Sequence, residues 1–277
     1  MQEINSAKNQ TTLSTLDAAK VPLWEGFREA FLLHLADNAL ILAQRNSEWC
    51  GHGPILEQDI AITNISLDLL GQARNFYQYA AQLKGDGATE DSLAYLRTER
   101  EYKNCLLVEQ PNGHWGQTIL RQFLFSQYQF LLYEQLQKSK DEILAAIAAK
   151  ALKEVTYHVR WSSEWVIRLG DGTKESHDKM LLAIEELWPF TSELFMPATY
   201  ESESDIGFDL TPLKEPWLKE ISNVLNEATL GNAVFGEGGS EKIFMQTGGK
   251  EGLHSEHMGY ILTELQYLQR AYPGSEW

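Results

Sequence analysis

One long segment of the chain is apolar on nearly every side of the helix that it predicts. Within the predicted helix 23–45, residues 30–43 are apolar almost all the way around, and a helix of this kind has to lie in the middle of a protein. His34, Asp37 and Asn38 interrupt the apolar run, so the segment is unsuited to spanning a membrane. The sequence therefore predicts a helical core built around this segment.

Three further long helices are predicted at residues 55–83, at 117–137, and from Ser139 to Gly170, where Ser139-Lys140-Asp141-Glu142 is a capping-box pattern. Shorter helices are predicted after Thr89 and at residues 173–196, 216–231 and 255–270, with loops at 198–215 and 236–252. Alternating β-branched runs are absent from the sequence, so we predict an all-α fold, a ferritin-like four-helix bundle with additional peripheral helices. We expect residues 1–20 to be a mobile lead-in and residues 21–277 to form a single domain.

Composition excludes several classes of function. The net charge of −16 argues against nucleic-acid binding, which needs clustered Lys and Arg. The two cysteines, Cys50 and Cys105, lie far apart and outside any CxxC, so neither a disulfide framework nor a cysteine-ligated metal is predicted. The N-terminal residues contain no apolar stretch typical of a secretory signal. These features favour a soluble protein of the cytoplasm.

A bundle of this type can carry a di-iron centre. Such centres take one carboxylate from each of two helices and Glu-x-x-His from each of the other two, because residues three apart share a helix face. The candidate ligands here are Asp37 on the first long helix, Asp68 on the second, and Glu154 with His158 on the fourth. All four lie within apolar helical stretches.

The di-iron pattern is damaged at several positions. Three residues after Asp68 stands Gly71, three residues after Glu154 stands Tyr157, and His158 comes one position too late. The third long helix offers the amides Gln122, Gln127 and Gln129, and Glu134 only near its end. We therefore predict no catalytic, cofactor-binding or metal-binding residue in this chain. We interpret the candidates as buried polar groups that are satisfied by one another or by Arg74, Arg121, Lys153 or Arg160. A metal-dependent oxygenase or ferroxidase, and a bundle that binds a small molecule, remain alternatives.

Other histidine and glycine patterns are weaker. His254 and His257 could share a metal at the start of the last helix, but one helix supplies too few ligands, and helix capping explains them better. His34 and His52 are interpreted as ordinary packed or loop histidines. Gly236-Glu237-Gly238-Gly239 follows no predicted strand and therefore fails as a nucleotide-binding fingerprint.

Several strings are long enough to identify a family. They are LADNALILAQRNSEWCGHGP at residues 35–54, LDLLGQAR at 67–74, LVEQPNG at 107–113, AAKALKEVTYH at 148–158, and the tail at 254–274. With them the chain resembles the C subunits of bacterial phenylacetyl-CoA epoxidases over almost everything after residue 22.

The resemblance implies a ferritin-like, non-catalytic subunit that pairs with a homologous catalytic subunit. In that family the catalytic subunit holds the di-iron centre and the acyl-CoA, so iron is expected in the partner and no cofactor in this chain. A small bridging subunit and a flavin/iron–sulfur reductase complete the system, which epoxidises the ring of phenylacetyl-CoA in phenylacetate degradation. The resemblance thus implies a component of a multicomponent monooxygenase that is inactive in isolation. Self-association in the absence of its partner stays open.

Overall fold

The computed structural model describes residues 23–203, 205–206, 208–235 and 245–275. These residues form helices and connecting segments without a strand, which confirms the predicted all-α fold. The long helices are α1 (Leu23–Ser47), α2 (Leu56–Lys84), α5 (Trp115–Leu136) and α6 (Glu142–Gly170). The shorter helices are α3 (Glu90–Tyr95), α4 (Leu106–Glu109), α7 (Lys174–Leu187), α8 (Thr199–Glu203), α9 (Lys214–Glu227), α10 (Asn232–Phe235) and α11 (Glu256–Ala271). The predicted lead-in at residues 1–20, and residues 236–244 of the predicted glycine-rich loop, lie outside the described residues.

The four long helices form the bundle. Helix α1 packs most extensively on α2, α5 packs most extensively on α6, and α2 joins the two pairs through its contact with α6. Every residue from Phe31 to Ala43 is buried, as the apolar run predicts. Burying a large aliphatic side chain is worth about 1.5–3 kcal/mol, so this helix stabilises the whole bundle.

The helix boundaries follow local chemistry. Gly85 ends α2 with a positive φ of 68°, a conformation that costs glycine little. Thr89 caps α3 and Thr173 caps α7, each as half of a capping box with a serine three residues later. The predicted caps at these two threonines are confirmed.

The predicted start of α6 was wrong by two residues. Asp141 is the N-cap, and its carboxylate accepts hydrogen bonds from the backbone N–H groups of Ile143 and Leu144 at 3.1 and 3.0 Å. The hydroxyl of Ser139 instead donates to the carbonyl of Ile206 at 3.0 Å. A carboxylate at the positive end of the helix also interacts favourably with its dipole.

Three other predictions of secondary structure were also wrong. Residues 198–215 were predicted to be loop, but they contain α8 and a 3₁₀ turn at Thr211–Leu213. Helix α9 begins at Lys214, two residues before the predicted start, so Pro216 lies in its first turn, where a missing N–H costs nothing. The predicted helix at residues 173–196 ends as an α-helix at Leu187 and continues as two 3₁₀ turns, Trp188–Phe190 and Ser192–Phe195.

The shorter helices cover the bundle. Helices α7 and α9 pack on α5 and α6, while α8, α4 and α11 pack on α1. Trp217 on α9 is 1% exposed and donates its indole N–H to the carbonyl of Leu124 on α5 at 3.0 Å. In the part of the chain that the structure describes, no helix is long and apolar enough to cross a membrane.

Candidate functional site

Asp37 lies on the buried side of α1 and is fully enclosed by protein. Its side chain is inaccessible to solvent, as predicted, and it accepts four hydrogen bonds. Oδ1 accepts from the hydroxyl of Tyr77 at 2.6 Å and from Nη2 of Arg97. Oδ2 accepts from Nη1 of Arg97 at 3.1 Å and from the backbone N–H of Lys103 at 2.8 Å. A carboxylate has about four lone-pair positions, so no acceptor capacity remains for a metal.

Arg97 is the counter-ion of this carboxylate, and its guanidinium is enclosed on several sides. Its Nη1 also donates to the carbonyl of Glu101 at 2.9 Å, and its guanidinium lies 4.3 Å from the centre of the Tyr102 ring. Burial acts to lower the pKa of Arg97, but the charge and hydrogen bonds of Asp37, together with Tyr77 and Tyr102, raise that pKa overall above its usual value. The Arg97 guanidinium is therefore charged inside the fold.

A second polar group of residues joins α2 to α6. Nε2 of His158 lies 3.0 Å from Oδ2 of Asp68. One turn along both helices, Nε2 of Gln72 donates to Oε2 of Glu154 at 2.9 Å. Because Asp68 and Gln72 are four residues apart, as are Glu154 and His158, each pair presents one helix face to the other helix. We call these four residues the α2–α6 seam.

Asp37 and its partners Tyr77, Arg97 and Lys103 form what we call the Asp37 cluster. The seam differs from this cluster in its exposure to solvent. The side chain of His158 is buried, whereas that of Asp68 is 37% exposed. The hydroxyl of Tyr133 on α5 donates to Oε1 of Gln72 at 3.3 Å, so the seam reaches the third long helix through a neutral contact. The seam therefore runs from the bundle interior to its surface.

The structure brings Asp68, Glu154 and His158 into the α2–α6 seam but leaves Asp37 apart from them. Asp37 bonds to Tyr77, which lies nine residues beyond Asp68 on α2, and nine residues of helix span about 13 Å. Gly71 is exposed, and Tyr157 is 40% exposed. Within the described residues, no group of three or more His, Cys, Asp or Glu side chains could hold a metal ion. The residues present therefore do not fit a di-iron centre.

The amides of α5 are engaged with neighbouring side chains. Gln122 accepts from Nδ2 of Asn46 on α1 at 2.6 Å and donates to the hydroxyl of Ser126 at 2.7 Å. Gln129 donates to the hydroxyl of Tyr133 at 3.2 Å, and Gln127 is buried. The contact between Gln122 and Asn46 ties α5 to α1, whereas the contacts with Ser126 and Tyr133 lie within α5 itself.

The prediction that Arg74, Arg121 or Arg160 pairs with the candidate carboxylates was wrong. Arg74 instead lies 3.5 Å from Glu90, Arg160 lies 3.9 Å from Glu164, and Arg121 donates to the carbonyl of Gln110. The prediction that the candidates satisfy one another holds for Asp68 and His158.

Sequence reasoning missed a second buried ion pair. His254 and Glu109 have fully buried side chains, with Nδ1 of His254 2.8 Å from Oε2 of Glu109. Nε2 of His254 lies 3.1 Å from the carbonyl oxygen of Tyr102. Both neighbours are acceptors, so both ring nitrogens donate and the imidazole carries a charge. Burial lowers the pKa of His254, but the hydrogen bond and charge of Glu109 raise it overall.

Further buried acids hold the segment before α11. Glu193 accepts from the backbone N–H groups of Leu106 at 2.7 Å and Gly248 at 2.8 Å, and burial raises its pKa. Lys250 lies 2.9 Å from Glu201, and both side chains are buried. These residues come from four separate segments of the chain. Their charges follow no helical periodicity in the sequence, so nothing beyond the charges themselves could have suggested these buried contacts.

A surface groove bears on the small-molecule interpretation. It has a volume of about 550 Å³ and lies between α3 and the C-terminal residues, with Tyr95, Leu96 and Tyr272 in its wall. None of its lining residues belongs to the Asp37 cluster or to the α2–α6 seam. It therefore gives that interpretation no specific support.

Comparison with known proteins identifies a family and a relative of this chain. Residues 28–277 match the family described as phenylacetic acid catabolic protein. The chain is 50% identical over 251 residues to the C subunit of the 1,2-phenylacetyl-CoA epoxidase of Escherichia coli (strain K12). That similarity covers 90% of this chain and 98% of the relative.

Proposed function

The chain belongs to the phenylacetic acid catabolic protein family, and from this we propose that it is a structural, non-catalytic subunit of a multicomponent phenylacetyl-CoA epoxidase. In this role it pairs with a homologous di-iron subunit and supports it. A small bridging subunit and a flavin/iron–sulfur reductase complete the complex, which acts in phenylacetate degradation in the cytoplasm.

The saturation of Asp37 is the observation that carries this proposal. A metal ligand needs a free lone pair, and all the acceptor positions of this carboxylate are taken by Tyr77, Arg97 and Lys103. Metal binding at Asp37 would leave the Arg97 guanidinium buried without its counter-ion. Such a change costs several kcal/mol, roughly 3–5.

The α2–α6 seam supports the same proposal. The side chains that resemble iron ligands form contacts between α2 and α6 instead; they are Asp68, Glu154 and His158. Contacts of this kind fix the register of neighbouring helices, which is the task of a scaffold. The exposed position of Asp68 also leaves the seam open to water, whereas oxygen activation needs an enclosed site.

Metal content tests the proposal directly. The purified chain is loaded anaerobically with ferrous iron, desalted and analysed for iron and manganese, with the di-iron subunit treated in parallel. We expect iron in the di-iron subunit and near-zero metal in this chain. About two iron ions per chain, the stoichiometry of a di-iron bundle, would establish the alternative of an oxygenase in its own right.

Reconstitution tests the supporting role. Glu154→Gln, in the seam, is compared with Glu164→Gln, a change on the exposed side of the same helix. We expect Glu154→Gln to lower the stability or assembly of the chain, and epoxidation to follow the amount of complex formed. Unchanged stability and assembly together with lost turnover would contradict a purely structural role.

A further inference from the structure

The start of α11 is held by a buried carboxylate from another helix. Glu109, in α4, accepts hydrogen bonds from the backbone N–H of Ser255 at 2.6 Å and from Nδ2 of Asn104 at 2.9 Å. Its Oε2 also lies 2.8 Å from Nδ1 of His254. Ser255 is the N-cap residue of α11, but its side chain makes no capping hydrogen bond. The carboxylate of Glu109, and not a local cap, therefore holds the start of the helix.

His254 connects this carboxylate to the segment between α3 and α4. Its Nε2 lies 3.1 Å from the carbonyl oxygen of Tyr102, and the side chains of His254 and Glu109 are both fully buried. A neutral imidazole has a single N–H and can donate to only one of these two acceptors. Loss of the proton therefore leaves one buried acceptor without its donor, which is unfavourable, and also removes the charge that attracts Glu109. Only the protonated imidazole satisfies both contacts.

The other end of α11 is held by groups that keep their charge near neutral pH. Gln266 donates its Nε2 to the carbonyl of Arg97 at 3.0 Å. Arg270 donates its Nη2 to the same carbonyl at 3.0 Å and to that of Leu96 at 3.2 Å. A side-chain amide does not titrate, and a guanidinium stays protonated. Helix α11 thus has contacts that are insensitive to pH at its end and a contact that depends on an imidazole at its start.

We propose that His254 and Glu109 form a pH-sensitive latch, which holds the first turn of α11 against residues 102–109 while the imidazole is protonated and releases it on deprotonation. This inference is independent of the proposed function, and it concerns a local opening of the fold. Burial lowers the pKa of His254, but the hydrogen bond and charge of Glu109 raise it overall. A raised pKa means that the contact stabilises the fold at low pH and that its contribution is lost as the pH rises. The latch therefore stays closed to a higher pH than the titration of an exposed histidine would allow.

The charges around His254 favour its protonated form. Helix α11 packs on α1, α3, α4 and the 3₁₀ turn Glu99–Glu101. Of these elements, α4 contributes Glu109 and α1 contributes Asp37, and both negative charges act to raise the pKa of His254. Arg97, which precedes the turn, is paired with Asp37. Arg45 on α1 donates to the carbonyl of Glu109. The remaining charged residues of α3 and of the turn are exposed or half-buried, so that water screens them; they are Glu90, Asp91, Glu99, Arg100 and Glu101.

Hydrogen exchange of the wild-type chain and of three full-length variants tests the latch. His254→Gln removes the charge but keeps one donor, and Glu109→Gln keeps the shape of the acceptor but removes its charge. His257→Gln is the matched control, since it changes a half-buried histidine in the same helical turn. Protection of the amides of residues 258–262 is measured from about pH 6 to about pH 9, the range in which a histidine with a raised pKa titrates. Residues 264–269 of the same helix are the internal reference, and all rates are corrected for the pH dependence of intrinsic exchange.

In the wild type we expect the protection of residues 258–262 to fall by at least about threefold across this range, while residues 264–269 keep theirs. His254→Gln should show low protection at every pH. Glu109→Gln should show the fall at a lower pH, because the imidazolium has lost its counter-charge. His257→Gln should behave like the wild type. A wild type without the fall, a fall of equal size at both ends of α11, or a wild-type pH dependence in His254→Gln would overturn the latch. The comparison of the two ends in the wild type decides the question even where a variant fails to fold.

Discussion

Replacing Asp37 by asparagine tests whether this carboxylate has a structural role or is a metal ligand. The amide is nearly the same size, but its single oxygen accepts about two hydrogen bonds where the carboxylate accepts four. Its NH₂ group would face donors, since Tyr77, Arg97 and Lys103 all donate to Asp37. The Arg97 guanidinium, with its side chain 8% exposed, would lose its counter-ion. Breaking a buried ion pair in this way costs about 3–5 kcal/mol, which is the loss that we expect.

Asp68→Asn is the matched control because the same change is made on the neighbouring helix. Asp68 is 37% exposed and has one side-chain partner, His158, so its contribution is screened by water. We expect a loss of about 1 kcal/mol or less. If both carboxylates were equivalent remnants of a metal site, the two losses would be similar.

Equilibrium unfolding in urea, followed by circular dichroism in the presence of a chelator, measures both losses. The chelator removes any contribution of bound metal to the free energy of unfolding. A loss below about 1 kcal/mol for Asp37→Asn would refute the argument from saturated acceptors. So would a wild type whose stability falls sharply when the chelator is added.

Three further outcomes are expected. Gly71→Ala should raise the free energy of unfolding of the isolated chain by about 0.5–1 kcal/mol in urea, because alanine is the better helix former and has open space; a loss would reveal a contact at that position. Burial lowers the pKa of His34 to about 4. As the pH falls below 6.5, His34 therefore binds a proton in the unfolded state but stays neutral in the folded state. Wild-type stability should therefore drop by about 2 kcal/mol more than that of His34→Gln between pH 7 and pH 5, and equal drops would contradict this assignment. A thiol reagent should react with exposed Cys50 in the native chain and with Cys105, whose thiol pKa is raised by burial, only after unfolding; two reactive native thiols would contradict the packing around Cys105.

The long helices were predictable because their apolar residues are numerous and their ends are marked locally. The solvent-free run in α1 and the stop at Gly85 are visible in the sequence alone. The start of α6 was not, because Ser139 and Asp141 are both competent N-caps. The hydrogen bond of Ser139 to Ile206, 67 residues away, leaves Asp141 as the cap. A contact over that distance leaves no local mark in the sequence.

The polar interior was predictable in part. A carboxylate in the apolar run of α1 needs a partner, and Asp37 has one. Its identity was hidden, because Arg97 is 60 residues away, in the irregular segment that follows α3. Helical spacing places Asp68 and Tyr77, nine residues apart, on opposite sides of α2. Only the tertiary structure shows that the Tyr77 side meets α1 and the Asp68 side meets α6.

The polar contacts of the bundle have a consequence for assembly. In a metal-bridged bundle the metal contributes free energy of folding, so the arrangement of the helices depends on metal supply. Here the corresponding positions are joined by hydrogen bonds and ion pairs between side chains, from Arg97 to Asp37 and across the α2–α6 seam. Under the proposed function, these contacts would hold α1, α2 and α6 together whether or not iron is supplied. The chain would then be folded before the di-iron subunit is loaded, as the proposed supporting role requires.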